Sequence, residues 1–129
     1  MGVWQMAGWF REPGAEPVNV SSQVNGNVHM NYFVELAYID LRAEGFEQQI
    51  WGTSTLGYDA NDGYSISTRF NTLAEAVITE NGTFDTRNRR FVFSGSDYSV
   101  TIQFETPDLF TVETRSGNQV VESYQFTRT

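Results

Sequence analysis

Glu122 is the side chain best suited to acid–base chemistry in this sequence. It lies in an alternating, largely apolar run, VVESYQF, close to the C-terminal end. If the alternation turns Glu122 into the protein interior, burial raises its pKa, and such a carboxyl group can act as a general acid or base. The alternative is a structural ion pair with Arg69, Arg115 or Arg128, and this is the interpretation that we favour.

The one histidine, His29, forms a second candidate acid–base pair with Glu35. Both lie in an alternating segment that we interpret as one strand, 27–41, and they share one face of it. The opposite face is more uniformly apolar and is predicted to point inward; it carries Val28, Met30, Tyr32, Val34, Leu36 and Tyr38. His29 and Glu35 are therefore expected outside, whereas the other register would bury them together as a catalytic pair.

Composition excludes several kinds of chemistry. The chain has 129 residues, no cysteine and no lysine, and its eight basic residues are all arginine against 16 acidic ones, for a net charge of −8. Disulfides, a cysteine nucleophile, a thiolate metal site and a lysine Schiff base are impossible, and nucleic acid is a poor partner for an anion. No apolar run approaches the roughly 20 residues that span a bilayer, and no signal peptide is visible, so we expect no membrane partner and a cytoplasmic location.

Period-two alternation with β-branched and aromatic residues dominates the chain and predicts an all-β protein. Glycine, asparagine and proline turn signals recur at short intervals, among them Asn25-Gly26, Asn61-Asp62-Gly63 and Asn81-Gly82. They delimit strands at 2–11, 17–24, 27–41, 46–57, 63–70, 74–80, 83–86, 90–94, 97–106, 109–115 and 119–128, one of the short ones being a bend; Thr72–Ile78 is the one segment with a helical alternative. A meander of this length is predicted to close into an antiparallel up-and-down barrel of about eight to ten strands, as a single domain over 1–129.

The inward face of such a barrel combines apolar side chains with a few polar ones. The candidate ligand-binding residues are Tyr32, Tyr38, Tyr64, Thr68, Phe70, Tyr98 and Tyr124. A few polar groups on an apolar wall are typical of a small-molecule site. Gly8 and Gly52 would leave room in the lumen, because they place no side chain there.

Motifs at both ends and in the middle resemble those of the calycin superfamily, which includes lipocalins, fatty-acid-binding proteins and nitrobindins. They are Gly2-Val3-Trp4, Phe126-Thr127-Arg128 and the stretch 51–59, WGTSTLGYD, followed by Gly63-Tyr64 and by 81–85, NGTFD. The middle stretch is similar to the Leu-Gly-Tyr-Asp motif of an uncharacterised bacterial family of small lipocalin-like barrels, although Phe126 replaces the usual tyrosine. The resemblance implies a structural cation–π contact between Trp4 and Arg128 that joins the first strand to the last. Nitrobindins use a histidine to bind haem, but no second histidine supports His29 here, so we expect neither a cofactor nor a metal.

Three functions remain open. The first is binding of a small hydrophobic or aromatic molecule in the lumen. The second is an enzyme, such as an isomerase, cyclase or hydrolase, that uses a lumen carboxylate and tyrosines. The third is a homodimeric interaction protein with a filled core, joined through outward aromatics such as Trp9, Phe33 and Trp51. The basic cluster 87–90, RNRR, is expected to be a solvated loop or, alternatively, an anion site.

Overall fold

Ten antiparallel strands make up the fold. A computed structural model describes residues 2–12, 14–29, 33–47, 50–61, 63–70, 78–95 and 97–129. The strands are β1 (Gly2–Phe10), β2 (Val18–His29), β3 (Phe33–Ala43), β4 (Ile50–Asp59), β5 (Gly63–Phe70), β6 (Ile78–Asp85), β7 (Arg90–Ser94), β8 (Tyr98–Thr106), β9 (Leu109–Ser116) and β10 (Gln119–Arg128). None of the described residues forms a helix with the length and apolarity needed to cross a membrane.

The strands close into a barrel in which every strand pairs with its neighbours in the chain and β10 pairs with β1. The closing pair runs from Trp4 opposite Arg128 to Phe10 opposite Glu122. The prediction of an up-and-down antiparallel barrel is thereby confirmed. Closure satisfies the hydrogen-bonding groups of both edge strands, which would otherwise be free to pair with other chains.

The closing pair also defines the two ends of the barrel. The Trp4 end holds the start of β1, the end of β10 and the β8–β9 turn at 107–108. The Glu122 end holds the end of β1, the start of β10 and the β3–β4 connection. Residues near Trp4 and residues near Glu122 therefore line opposite ends of one lumen.

Alternation along the strands fills much of the lumen with apolar side chains. The buried core includes Trp4, Met6, Val20, Val24, Ile50, Phe93, Val100, Ile102, Phe110 and Phe126. On β3 the alternation shifts between Tyr38 and Leu41, where Asp40 has a φ of 51°. Because of this irregularity Leu41 and Ala43 face the core, each only 7% exposed. Simple alternation from Tyr38 would have turned them outward.

The prediction of a turn at Asn25-Gly26 and of one strand over 27–41 is wrong. Gly26 lies inside β2, opposite Gly2 on β1 and Leu36 on β3. The described strands end at His29 and begin again at Phe33, and these two residues pair with each other. Asn-Gly is locally a strong hairpin signal, but here both residues pair with strands on either side of β2.

The second Asn-Gly pair, Asn81-Gly82, also lies within a strand. It is part of β6, which replaces the separate strands predicted at 74–80 and 83–86. Gly82 lies opposite Phe93 on β7, and a Cβ at position 82 would meet the Val92 carbonyl oxygen and come within 2.7 Å of the Phe93 ring. Glycine is needed for this close approach and not for a turn. The helical alternative at Thr72–Ile78 falls mainly on 71–77, which lie outside the described residues.

Candidate functional site

Two adjoining cavities occupy the lumen. The larger, here the Glu122 chamber, has a volume of about 520 Å³ and lies toward the Glu122 end. Its wall is mainly apolar, and its polar side chains are Tyr38, Ser54, Thr68, Glu122 and Tyr124. The exposed Phe46, in the β3–β4 connection, is part of the lining and lies at the rim.

The smaller cavity, here the Trp4 chamber, has a volume of about 390 Å³. Its wall includes Trp4, Phe91, Phe104, Pro107 and Arg128. Both cavities share the side chains of Leu36, Ser54, Ile66, Ile102 and Phe110. The two chambers are therefore neighbouring parts of one lumen that differ in the chemistry of their walls.

Three hydroxyl groups form a chain across one wall of the Glu122 chamber. The Tyr38 hydroxyl lies 2.8 Å from Ser54 Oγ, which lies 3.0 Å from Thr68 Oγ1. The three residues belong to the adjacent strands β3, β4 and β5, and Ser54 is directly opposite Thr68. Tyr38 lies opposite Gly52, which has no side chain, so its ring can extend toward Ser54. These hydrogen bonds satisfy hydroxyl groups that burial would otherwise leave without partners.

Glu122 is the centre of a second polar group on β9 and β10. Its carboxylate accepts hydrogen bonds from the hydroxyl groups of Thr114 and Tyr124. Thr114 is its direct cross-strand partner, and Tyr124 is two residues further along the same face. Burial raises the pKa of Glu122 above its ordinary value, and the two hydrogen bonds oppose this only in part.

Within the part of the chain that the structure describes, Glu122 does not form the expected ion pair with an arginine. Arg115 is exposed and pairs with Glu113 at 2.8 Å, and Arg128 pairs with Asp108 at 2.9 Å. The remaining candidate, Arg69, is exposed on β5. The reason is geometric, because Glu122 faces the lumen, whereas Arg69 and Arg115 are exposed and Arg128 is paired at the far end of the barrel.

The two tyrosines of the chamber are affected by the same burial. Desolvation raises the pKa of Tyr38 to about 12, and the negative charge of Glu122 acts in the same direction. Burial and then Glu122 also raise the pKa of Tyr124. Both phenols therefore remain protonated at neutral pH and serve as hydrogen-bonding groups.

Gly8 allows Tyr124 to take its place in the wall. The two residues are directly opposite on β1 and β10. A Cβ at position 8 would meet the Ser123 carbonyl oxygen and lie 2.7 Å from Cδ1 of the Tyr124 ring. Gly8 thus leaves room, as predicted, but the Tyr124 ring occupies this room by approaching the β1 backbone.

The Trp4 end is packed by aromatic rings and one cation. The Arg128 guanidinium lies 4.3 Å from the centre of the Trp4 ring, the contact implied by the calycin resemblance. Phe110 packs edge-on against Trp4 at 5.0 Å and stacks on Phe126 at 4.4 Å. Arg128 also donates hydrogen bonds to Asp108 and to the Pro107 carbonyl oxygen. These contacts fasten the last strand to the first.

The sequence-predicted binding residues are only partly brought together. Tyr38, Thr68 and Tyr124 line the Glu122 chamber. Tyr64 instead packs among aromatic rings, 5.0 Å from Phe91 and 4.9 Å from Tyr58, and it contributes to neither cavity wall. Tyr98, at the start of β8, shares the inward face of Val100 but is 51% exposed and lines neither cavity. Phe70 ends β5, and Tyr32 falls outside the described residues.

His29 and Glu35 lie on the outer surface, as the alternation predicted. His29 Nε2 is 4.0 Å from a Glu35 carboxylate oxygen, and both side chains are more than one third exposed. The pair is therefore solvated and does not reach the lumen. A role for it in chemistry inside the barrel is ruled out by this position.

The basic cluster at 87–90 forms the β6–β7 turn and the first residue of β7. Asp85 accepts hydrogen bonds from the backbone of Arg87 and Asn88 and from the Asn88 side chain. The Arg89 side chain donates to the Glu105 carbonyl oxygen. Residues 86–89 are exposed, which is the arrangement of a solvated loop.

Sequence reasoning missed two polar members of the site, Ser54 and Thr114. Both lie on inward faces and are buried. Ser54 is a small, common residue, and its type alone does not mark it as part of a site. Thr114 is identified by its position opposite Glu122, which becomes visible only once the β9–β10 register and its shift at Val120–Glu122 are known.

Comparison with known proteins supports the fold. No protein-family model and no curated protein matches the sequence. Among solved structures, a barrel described as a de novo design of a fluorescence-activating beta barrel matches with a TM-score of 0.60 and 12% identity, covering 99% of this chain and 92% of that chain. At this identity the likeness shows that the chain has a small β-barrel fold.

Proposed function

We propose that this protein binds a small apolar or aromatic molecule in the Glu122 chamber. The observation that carries the proposal is the chamber itself, a cavity of about 520 Å³ with an apolar wall and five polar side chains. Ligand sites usually occupy roughly 300–1,000 Å³ and combine apolar walls with a few oriented polar groups. Tyr38 and Tyr124 would fix the orientation of the ligand through their hydroxyl groups.

The fold relationship offers a practical probe. The designed barrel is described as fluorescence-activating, and a dye whose emission depends on its surroundings reports entry into any apolar lumen. Nile red is neutral and suits this purpose. We expect its emission to rise and shift to the blue when it is added to the protein, and other molecules that enter the chamber to displace it.

A matched pair of variants tests whether the dye occupies this chamber. Ala43→Phe places a phenyl ring at a buried position in the chamber wall, whereas Ala7→Phe adds the same ring at an exposed position of β1. Ala43→Phe is expected to weaken Nile red binding at least about tenfold, because the added ring occupies ligand space. Equal affinity of the two variants, or no binding to the parent protein by Nile red or by a panel of fatty acids and aromatics, would contradict the proposal.

A second candidate function is enzymatic, and the position of Glu122 is what favours it. A carboxyl group of raised pKa beside a tyrosine hydroxyl in a cavity can transfer a proton to or from a bound substrate. His29 lies on the outer surface and has no part in this version. The test is whether the protein converts a compound that it binds, as monitored by mass spectrometry. Glu122→Gln should abolish this turnover and keep the affinity for the compound.

The remaining sequence-based proposals concern setting and assembly. We propose that the barrel is calycin-like and forms a single domain, with the Trp4–Arg128 contact as the supporting observation; the cytoplasmic location stays a prediction. The filled-core alternative conflicts with the two cavities of the lumen. A homodimer remains a proposal supported by the exposed aromatics Phe33 and Trp51, and size-exclusion chromatography tests it.

A further inference from the structure

The wall of the Glu122 chamber has one acidic group and, among the described residues, no basic group. The sequence offers only arginine as a permanent cation. The nearest candidates along the chain, Arg115 and Arg128, are paired with Glu113 and Asp108. Among the described residues, only hydroxyl groups therefore offset the negative charge of Glu122 inside the lumen.

The hydrogen-bonding capacity of Glu122 is only partly used. An ionised carboxylate offers about four acceptor positions on its two oxygens. Among the described residues, Thr114 and Tyr124 use two of them. The other positions are available to a donor that enters the chamber, and a charged donor forms a stronger hydrogen bond with a carboxylate than a neutral one.

We propose that the ligand of the Glu122 chamber is a hydrophobic amine, with an apolar or aromatic body against the wall and a protonated nitrogen on the Glu122 carboxylate. This rests on the proposed function, because it specifies the class of molecule that the same chamber binds. The apolar body would lie against side chains such as Phe10, Leu36, Ile102 and Val112. The nitrogen would complete the group formed by Glu122, Thr114 and Tyr124.

Two further features favour a cation over an anion. The rings of Tyr38, Tyr124 and Phe126 line the same chamber, and the faces of aromatic rings attract cations. The net charge of −8 also attracts cations to the protein and repels anions. A carboxylate ligand would instead place a second negative charge beside Glu122 in a poorly solvated site, which is unfavourable.

Three ligands of nearly equal shape test the proposal on the unmodified protein. They are 2-naphthylmethylamine, which is cationic at neutral pH, 2-naphthylmethanol, which is neutral, and 2-naphthoate, which is anionic. Displacement of Nile red measures the affinity of each. We expect the amine to bind about tenfold more tightly than the alcohol, as a charge-assisted hydrogen bond would give, and the naphthoate to bind most weakly.

Two variants, each of which removes one negative charge, show whether the preference for the amine depends on Glu122. Glu122→Gln keeps the shape of the side chain and removes its charge, so the preference for the amine over the alcohol is expected to fall to about twofold or less. Glu113→Gln removes a charge from the exposed pair with Arg115. It should leave the preference intact, because only the net charge of the protein changes.

The outcomes separate this inference from the proposed function. If the alcohol displaces Nile red as well as the amine does, or better, the chamber binds apolar molecules but the amine proposal is wrong. If the preference for the amine survives in Glu122→Gln, attraction to the net charge explains it and the proposal is equally wrong. If none of the three ligands nor Nile red binds, the proposed function fails. Even if Glu122→Gln does not fold, a parent protein that binds the alcohol as tightly as the amine overturns the amine proposal.

Discussion

The two ends of the lumen use the same pair of strands for opposite purposes. At the Trp4 end, β1 and β10 bring an indole and a guanidinium together, 4.3 Å apart, and the guanidinium is also paired with Asp108. At the Glu122 end, they place a carboxyl group and a phenol against an open cavity, with no base among the described lining residues. One end joins the first strand to the last, whereas the other has the larger cavity and an acid with no basic partner among the described residues.

The contrast has an energetic meaning. Aromatic packing at the Trp4 end stabilises the fold, because large apolar surfaces leave water and the Arg128 guanidinium is paired with Asp108. Burial of Glu122 acts against stability, as the rise in its pKa indicates. A folded protein tolerates such a cost mainly where a function requires it. Closure of the barrel therefore belongs to the Trp4 end, and the proposed ligand recognition to the Glu122 end.

The largest expected effect is at the Trp4 end. Trp4→Ala removes a side chain that is only 3% exposed and in contact with Phe110 and Arg128. It should lower the free energy of unfolding by about 3–5 kcal/mol, measured by urea denaturation. Trp51→Ala is the matched control, since Trp51 is 60% exposed and its loss should cost about 1 kcal/mol or less. Similar losses for both variants would contradict the role of the Trp4 end in closing the barrel.

Much of this architecture could be predicted from the sequence, because alternation is a local signal. The ends of β5, β7 and β10 match the predicted 63–70, 90–94 and 119–128. The inward positions of Leu36 and Tyr38 and the outward positions of His29 and Glu35 also followed from the pattern alone. The assignment of inward and outward faces stayed correct although the strand boundary was wrong, because Val28 on β2 and Val34 on β3 are paired and share a face.

The errors arise where a distant neighbour decides the local structure. Gly26 and Gly82 are strand residues because other strands pass close to them, and nothing within a few residues distinguishes this from a turn. Leu41 faces inward because of an irregularity at Asp40. The partners of Glu122 depended on the β9–β10 register, so sequence reasoning identified the acid but assigned it the wrong partner.

An intermediate effect is expected from adding one methyl group at either of two glycines. A Cβ at Gly8 or at Gly82 would meet a backbone carbonyl oxygen and an aromatic ring of the neighbouring strand. Gly8→Ala and Gly82→Ala should each lower the free energy of unfolding by about 1–3 kcal/mol, as overpacking does.

The two glycine variants should differ in ligand binding. Gly8 supports Tyr124, which lines the Glu122 chamber, whereas Gly82 supports Phe93, which is fully buried and lines neither chamber. Gly8→Ala is therefore expected to weaken Nile red binding as well as stability, and Gly82→Ala to affect stability alone. An equal loss of affinity in both would mean that general loosening of the barrel controls binding.

The smallest expected effect is a gain in the free energy of unfolding, and it depends on pH. Because burial raises the pKa of Glu122 in the folded protein, the folded state binds this proton more tightly than the unfolded state, where the value is near 4.5. The wild type therefore loses stability relative to Glu122→Gln as pH rises from about 4.5 through the raised pKa of the folded state. Above that window the variant should be the more stable protein, by about 1 kcal/mol, since glutamine can still accept hydrogen bonds from Thr114 and Tyr124.

Urea denaturation of both proteins between pH 4 and pH 8 measures this difference, which should shrink toward the acidic end. Taking the difference at each pH cancels the contributions of all other carboxylates, and Glu113→Gln reports what loss of a surface charge does by itself. A difference that does not vary with pH would mean that Glu122 titrates alike in the folded and unfolded states. In that case the acid at this end would be solvated, and the distinction between an end that closes the barrel and an end that bears a stability cost would no longer hold.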